Sequence, residues 1–205
     1  MKAYPSITTK IDFSKPYHIF DKLDGSNIRA EWSPKKGFYK FGSRTQLLTE
    51  DQKTLWPCRD AIIEEYSETL SSRLSKLKAE SAVCFFEWVG PESFAGNHGD
   101  VSKNKPYLID VAIYKKGMMP IEQYLKISEG IPSPRLLHVG KIYEDFFQAV
   151  RNRTLEGMTF EGVVGKGEHS KQLGHAIMFK IKSNDWLNKL KTICNGDMAL
   201  YERLK

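Results

Sequence analysis

Three short β-prone segments, 17–23, 28–32 and 38–41, open the chain, and Gly25, Pro34 and Gly37 break them apart. A long helical segment follows. Pro57 suits a first turn, and Ile62, Tyr66, Leu70, Leu74 and Leu77 recur at helical spacing. Two apolar strand-like segments come next, 83–89 and 107–114, then a helical one at 143–153 and late strands at 162–165 and 177–181. Ser183, Asn184 and Asp185 offer caps for a last helix over 186–193. Strands and helices are interspersed without the regular βαβ alternation that a parallel sheet needs. The order therefore predicts an α+β fold of largely antiparallel sheets.

A chain of 205 residues can bury one substantial core, or two small ones. No apolar stretch follows Met1-Lys2, and the longest apolar run, near 82–86, is too short to cross a bilayer. The expectation is a cytoplasmic protein of bacterial or virus-infected cells, with no membrane partner. Cys58, Cys84 and Cys194 are widely spaced and form no CxxC pair, which argues for buried thiols rather than a zinc site or disulfides. His18, His98, His138, His169 and His175 show no metal-ligand spacing, and Trp32, Trp56, Trp88 and Trp186 default to core packing. The net charge of +6 suits a polyanionic partner, though many basic proteins bind none. Lys35-Lys36 and the set Lys189, Lys191, Arg203 and Lys205 suit either a phosphate backbone or a solvated surface.

Chemistry concentrates in three places. Phe20-Asp21-Lys22-Leu23-Asp24-Gly25-Ser26-Asn27 puts a lysine at a strand end, with Asp24 two residues on and Gly25 to turn the backbone beside a ligand. A lysine nucleophile must be neutral to attack, and its ordinary pKa of about 10.4 has to be lowered by nearby positive charge or by desolvation. Glu161, at the head of the run Glu161-Gly162-Val163-Val164-Gly165-Lys166, is placed to hold a divalent metal on phosphates. In the strand Met178-Phe179-Lys180-Ile181-Lys182, Lys180 and Lys182 share one face, where two ammonium groups can neutralise a triphosphate and repel a proton from a third lysine. Taken singly, each feature has an ordinary explanation in an exposed turn or a solvated edge strand.

Together, Lys22-Leu23-Asp24-Gly25, Glu161-Gly162-Val163-Val164 and Lys180-Ile181-Lys182 resemble motifs I, IV and V of the covalent nucleotidyltransferases, the superfamily of DNA ligases, RNA ligases and mRNA capping enzymes. Phe41-Gly42-Ser43-Arg44-Thr45 resembles the basic motif between I and III. Phe85-Phe86-Glu87-Trp88-Val89-Gly90-Pro91 resembles motif III, and Tyr107-Leu108-Ile109-Asp110-Val111 resembles motif IIIa. The segments stand in family order. Asn27 after Gly25-Ser26, and Glu87 before Gly90-Pro91, are similar to the nick-sealing RNA ligase 2 type. One position departs from the pattern: the aromatic that usually precedes the motif IIIa aspartate is Ile109. Tyr107, two residues earlier on the same face, is a candidate to compensate.

The resemblance implies a nucleotidyltransferase catalytic domain, ATP-grasp-like, with two antiparallel sheets around a nucleotide cleft and flanking helices over residues 1–205. It implies Lys22 as the residue that takes AMP from ATP, Glu161 as the metal residue for Mg²⁺ (Mn²⁺ as an alternative), and Lys180 and Lys182 on the phosphates. Arg44 and Glu87 touch the ribose or the incoming phosphate end, Ile109 faces the base, and Asp24, Gly25 and Asn27 complete the nucleotide site. The implied partner is RNA or a nicked duplex with 5′-phosphate and 3′-hydroxyl ends, bound by a monomer. After Lys182 only a short helical tail is expected, in place of the OB-fold or helical domain of relatives, so a partner chain is one way to supply substrate grip. The alternatives are a small DNA ligase, a GTP-dependent capping guanylyltransferase, and an adenylated end-binding module without sealing activity.

Overall fold

A computed structural model describes residues 1–91, 93 and 103–205; His98 lies outside them. In chain order the elements are β1 (Pro16–Lys22), β2 (Ser26–Ser33), β3 (Gly37–Gly42), α1 (Cys58–Lys76), β4 (Ala82–Val89), β5 (Lys105–Ile113), β6 (Gly117–Met118), α2 (Ile121–Ser128), β7 (Leu136–Lys141), α3 (Glu144–Arg151), β8 (Gly162–Ser170), β9 (His175–Lys182), α4 (Asn184–Cys194) and α5 (Met198–Leu204). The strands form two sheets, β7-β1-β8-β9 and β3-β2-β4-β5-β6, and every pairing between these strands is antiparallel. This is the α+β arrangement that the order of segments predicts.

Each sheet buries one face under helices. On α1, Cys58, Ile62, Tyr66, Leu70 and Leu74 are buried at intervals of four residues. They pack with Trp32, Phe86, Leu108 and Val111 of the second sheet and with Ile121, Tyr124 and Ile127 of α2. The first sheet packs Ile19, Val163, Phe179 and Ile181 against Val150 of α3. A smaller cluster joins Phe160 to Trp186, Leu190 and Cys194 of α4. Cys58, Cys84 and Cys194 are all buried free thiols, and Trp32, Trp88 and Trp186 are buried as expected. Among the described residues, no helix is long and apolar enough to cross a membrane.

Three elements are absent from the sequence reading. α2 has only eight residues, and its signal is the triplet Ile121, Tyr124 and Ile127 behind the extended Pro120. β7 is an edge strand with a bulge in its pairing to β1, and only one of its sides is paired. β6 is two residues long. The tail after Lys182 forms two helices, because Asn195 and Gly196 take left-handed backbone (φ 45° and 88°) and end α4. Ser183 caps α4 by accepting a hydrogen bond from the Trp186 amide, and Asp197 caps α5 through Leu200.

One buried hydroxyl ties the helical layer to the loops behind the second sheet. The Tyr66 hydroxyl shares its proton between the carbonyls of Pro106 (2.6 Å) and Pro132 (2.9 Å). The Leu108 amide also donates to Pro132 O, so that carbonyl keeps a partner without Tyr66. Tyr66→Phe is therefore expected to lose about 1–2 kcal/mol, near the low end for an orphaned buried acceptor. The check is chemical denaturation, which should show a lower midpoint with an unchanged slope.

Candidate active site

Strand register builds the centre of the site. Lys22 on β1 is paired with Gly162 on β8, which is paired with Lys182 on β9. Glu161, immediately before Gly162, is only 3% exposed. Its carboxylate accepts a hydrogen bond from Lys22 Nζ at 2.8 Å on Oε2, and Lys182 Nζ stands 3.0 Å from Oε1. Gly162 is required here: φ is +141°, and a Cβ would collide with the Ile181 carbonyl of β9. The backbone carbonyl of Glu161 accepts from the Ser183 amide at 2.8 Å, which joins the site to the start of α4.

Asp21 fixes the other approach to Glu161. It neighbours Lys22 on β1, so its side chain leaves the strand on the opposite face. It is 2% exposed, and Oδ1 accepts from the Thr159 amide (2.8 Å) and hydroxyl (3.0 Å). Arg135 Nη2 stands 3.6 Å from Oδ2. Asp21 thereby ties the end of β1 to the turn that delivers Glu161. The sequence marks it only as a carboxylate beside the lysine.

The second sheet supplies the facing wall. Asn27 on β2 pairs with Glu87 on β4. A Cβ on Gly25 would strike the Trp88 carbonyl, so this glycine answers to the close approach of β4 rather than to a left-handed turn. Between the sheets lies a cleft of about 640 Å³, within the range of small-molecule sites. Lys22, Asp24, Gly25, Asn27, Arg44, Glu87, Ile109, Glu161, Lys180 and Lys182 all line it. The structure thus brings these ten residues to one cavity.

The apolar part of the cleft includes Tyr4, Ile7, Phe20, Ile109, Tyr124 and Val164; among the described lining residues Tyr107 is not one. Tyr4 is an aromatic lining residue that packs in the same cluster as Ile109. Its ring packs on Phe85 (5.1 Å between centroids), and its hydroxyl donates to Asp110 Oδ2 at 3.3 Å. Lys166, which sequence quotes without a role, donates to Ile109 O (2.7 Å) and Asp110 Oδ2 (2.9 Å), with its ammonium 4.4 Å from the Tyr124 ring centre. This buried cation joins β8 to β5 across the cleft floor. The segment carrying Tyr4 also hydrogen-bonds to β9, where the Lys180 amide donates to Thr8 O at 2.9 Å.

Electrostatics in the cleft run in opposed directions. Burial alone would lower the Lys22 ammonium, but Glu161, Glu87 and Asp24 outweigh it and raise its pKa. The sequence expectation of a lowered Lys22 is corrected in this state: Glu161 holds the proton on. Burial lowers Lys180, helped by the charge of Lys22. Burial also lowers Lys182 to about 8, against the pull of Glu161. Glu87 rises to about 7, first through burial and then through Glu161 and Asp24, with Lys22 opposing. The arrangement can hold an anion on Lys180 and Lys182, and it frees the Lys22 amine once Glu161 is engaged elsewhere.

No protein-family model matches the chain, and no curated protein does. Solved structures share its fold. An apo form of a mutant Naegleria gruberi RNA ligase superposes with a TM-score of 0.64 at 17% identity, over 92% of this chain and 59% of that one. A mutant of the same ligase with ATP and Mn gives 0.60 at 18% identity, over 85% and 51%. The ligase with PPi gives 0.62 at 17% identity, over 87% and 52%. The chain thus spans between half and three fifths of the length of these ligases.

The raised Glu87 has a consequence for stability. Its unfolded value is near 4.5 and its folded value about 7, so ionising it costs the fold free energy. That cost is complete above about 7 and disappears as pH falls through 4.5. Glu87→Gln is therefore expected to melt a few degrees above the wild type at pH 8, with the gap closing as pH falls through that window. Thermal melts of both proteins over a pH series check the sign.

Proposed function

We propose that this chain is the nucleotide-charging core of an ATP-dependent RNA ligase that carries AMP covalently on Lys22. The observation that carries the reading is the row Lys22–Glu161–Lys182, in which one buried carboxylate holds a strand-end amine and a phosphate-binding ammonium in a single cleft. Support comes from the shared fold with RNA ligases whose structures contain ATP, AMP, Mn or PPi. Further support comes from six motif-like segments that stand in order along the chain and converge on that cleft.

In the proposed reaction the neutral Lys22 amine attacks the α-phosphorus of ATP and gives up one N–H proton to solvent as the phosphorus–nitrogen bond forms. The bond from that phosphorus to the bridging oxygen breaks, and pyrophosphate leaves while Lys180, Lys182 and Arg44 neutralise its charge. Next, a 5′-phosphate oxygen of the RNA attacks the same phosphorus, the phosphorus–nitrogen bond breaks, and Lys22 recovers its proton. Finally the 3′-hydroxyl attacks the activated 5′-phosphate, a phosphodiester forms and AMP departs. Each step is a displacement at phosphorus, so the protein contributes mainly position and charge. The base rests against Ile109, Val164 and Tyr4, an apolar wall that favours adenine. Asn27 and Glu87 face the sugar, with Asp24 beside the lysine and Gly25 letting β4 approach closely.

Glu161 fits a hard cation. Among the described residues no cluster of three His, Cys, Asp or Glu side chains could hold a metal alone. One carboxylate plus substrate phosphate oxygens is, however, the usual donor set for Mg²⁺. A divalent ion bound there, Mg²⁺ or Mn²⁺, would neutralise phosphate charge. Glu161 directed toward such an ion no longer holds the Lys22 proton, and the lysine is then left with burial as its dominant influence. RNA, rather than DNA or a cap, is the substrate that the structural relatives support; the ends proposed to be joined are a 5′-phosphate and a 3′-hydroxyl.

The test is the rate of self-adenylation with ATP. Glu161→Ala, Lys180→Ala and Lys182→Ala are each expected to slow it by about a hundredfold or more, the usual cost of removing a group that stabilises developing charge. Near wild-type rates in all three would remove the phosphate and metal roles. Labelling by GTP as strong as by ATP would move the reading to a capping enzyme.

A further inference from the structure

The two phosphate lysines already have a ligand from within the chain. Lys180 Nζ donates to the main-chain carbonyl of Lys205 at 2.8 Å, and Lys182 Nζ to that of Leu204 at 3.4 Å. Arg203, Leu204 and Lys205 line the cleft beside them. Carbonyl oxygens at the end of a helix lack intrahelical partners and carry the negative end of its dipole, so they are natural acceptors for ammonium groups. They stand in for phosphate oxygens.

α5 is lightly held in this position. It has seven residues, none of them buried. Its attachment is the packing of half-buried Leu200 and Tyr201 on Phe160, Trp186, Leu190 and Cys194, together with the Asp197 cap. The left-handed pair Asn195–Gly196 links it to α4, and Met198 and Leu204 are largely exposed. A polyphosphate brings several charged oxygens to these two ammonium groups, and hydrogen bonds to charged groups are roughly twice as strong as those between neutral ones. A polyphosphate and residues 203–205 cannot fill the same part of the cleft together.

We propose that α5 is a displaceable latch that competes with the polyphosphate of the nucleotide for Lys180 and Lys182. This rests on the reading of the cleft as an ATP site. The closed latch reduces apparent nucleotide affinity by the fraction of molecules that are open. Nucleotide binding lifts α5 from the cleft and carries the basic side chains of Arg203 and Lys205 away with it.

The test uses Leu200→Asp, which loosens α5 from its apolar seat without altering a residue assigned to catalysis. With the latch closed in most molecules, the variant is expected to lower the KM for ATP in self-adenylation about threefold to tenfold, with no loss of maximal rate. In the wild type, adding inorganic tripolyphosphate should speed amide hydrogen exchange in α5 while leaving β8 and β9 protected. This second measurement decides the matter if the variant does not fold. An unchanged or raised KM in a folded variant, or α5 amides that stay as protected or become more so, would overturn the latch, the latter pattern making α5 part of the binding site. A wild type that never labels with ATP would sink the ligase reading instead, and tripolyphosphate release of α5 would still be read separately.

Discussion

One carboxylate holding two ammonium groups organises this molecule. Glu161 is nearly fully buried, and burial of an ionised carboxylate is tolerable only because Lys22 and Lys182 stand within 3.0 Å of its two oxygens. The pairing of β1 with β8 and of β8 with β9 is what delivers those partners. A one-residue slip in either register would turn a lysine to the other face of the sheet and leave the carboxylate buried against fewer charges. Gly162 permits β8 to meet β9 closely at this point, and Asp21 secures the turn before it through Thr159. The geometry of the cleft and the stability of the fold therefore share one set of contacts.

The same ion cluster keeps Lys22 protonated, which on the proposed reading is its resting state. Lys22 carries its proton because its nearest neighbour is an anion, whereas Lys182 is the ammonium that burial and neighbouring cations drive down. Bringing phosphates to Lys180 and Lys182 and drawing Glu161 away from Lys22 change the balance together. In the proposed reaction, that change is what would activate Lys22 when the nucleotide binds. Glu87, forced up by burial, shows the cost of gathering acids in a dry cleft, a common compromise between stability and function.

Much of this was legible in the chain alone, and the reasons differ by element. α1 declares itself because five buried positions repeat every four residues, and the strands around Lys22, Glu87 and Lys180 are dense in β-prone residues. The residues that meet in the cleft could be named because they stand in local patterns: a strand-end lysine, a carboxylate before a glycine, two lysines at period two. What escaped depends on distant contacts. Tyr4 reaches Asp110 across 106 positions, and Lys166 reaches the same carboxylate across 56. No local pattern marks either as cleft residues. β7 and α2 are too short for periodicity to speak, and α5 acquires its place only through its contacts with α4 and the cleft. The direction of the Lys22 shift failed for a similar reason, since the nearest charge comes from Glu161, 139 positions away.

The central claim is chemical: that Lys22 itself becomes bonded to AMP. The direct measurement is mass-spectrometric peptide mapping of the protein after incubation with ATP and Mg²⁺. One AMP should be found on the peptide containing Lys22, with fragment ions placing it on that side chain, and Lys22→Ala should fold normally and carry none. AMP on another residue, or labelling that persists in Lys22→Ala, would contradict the account.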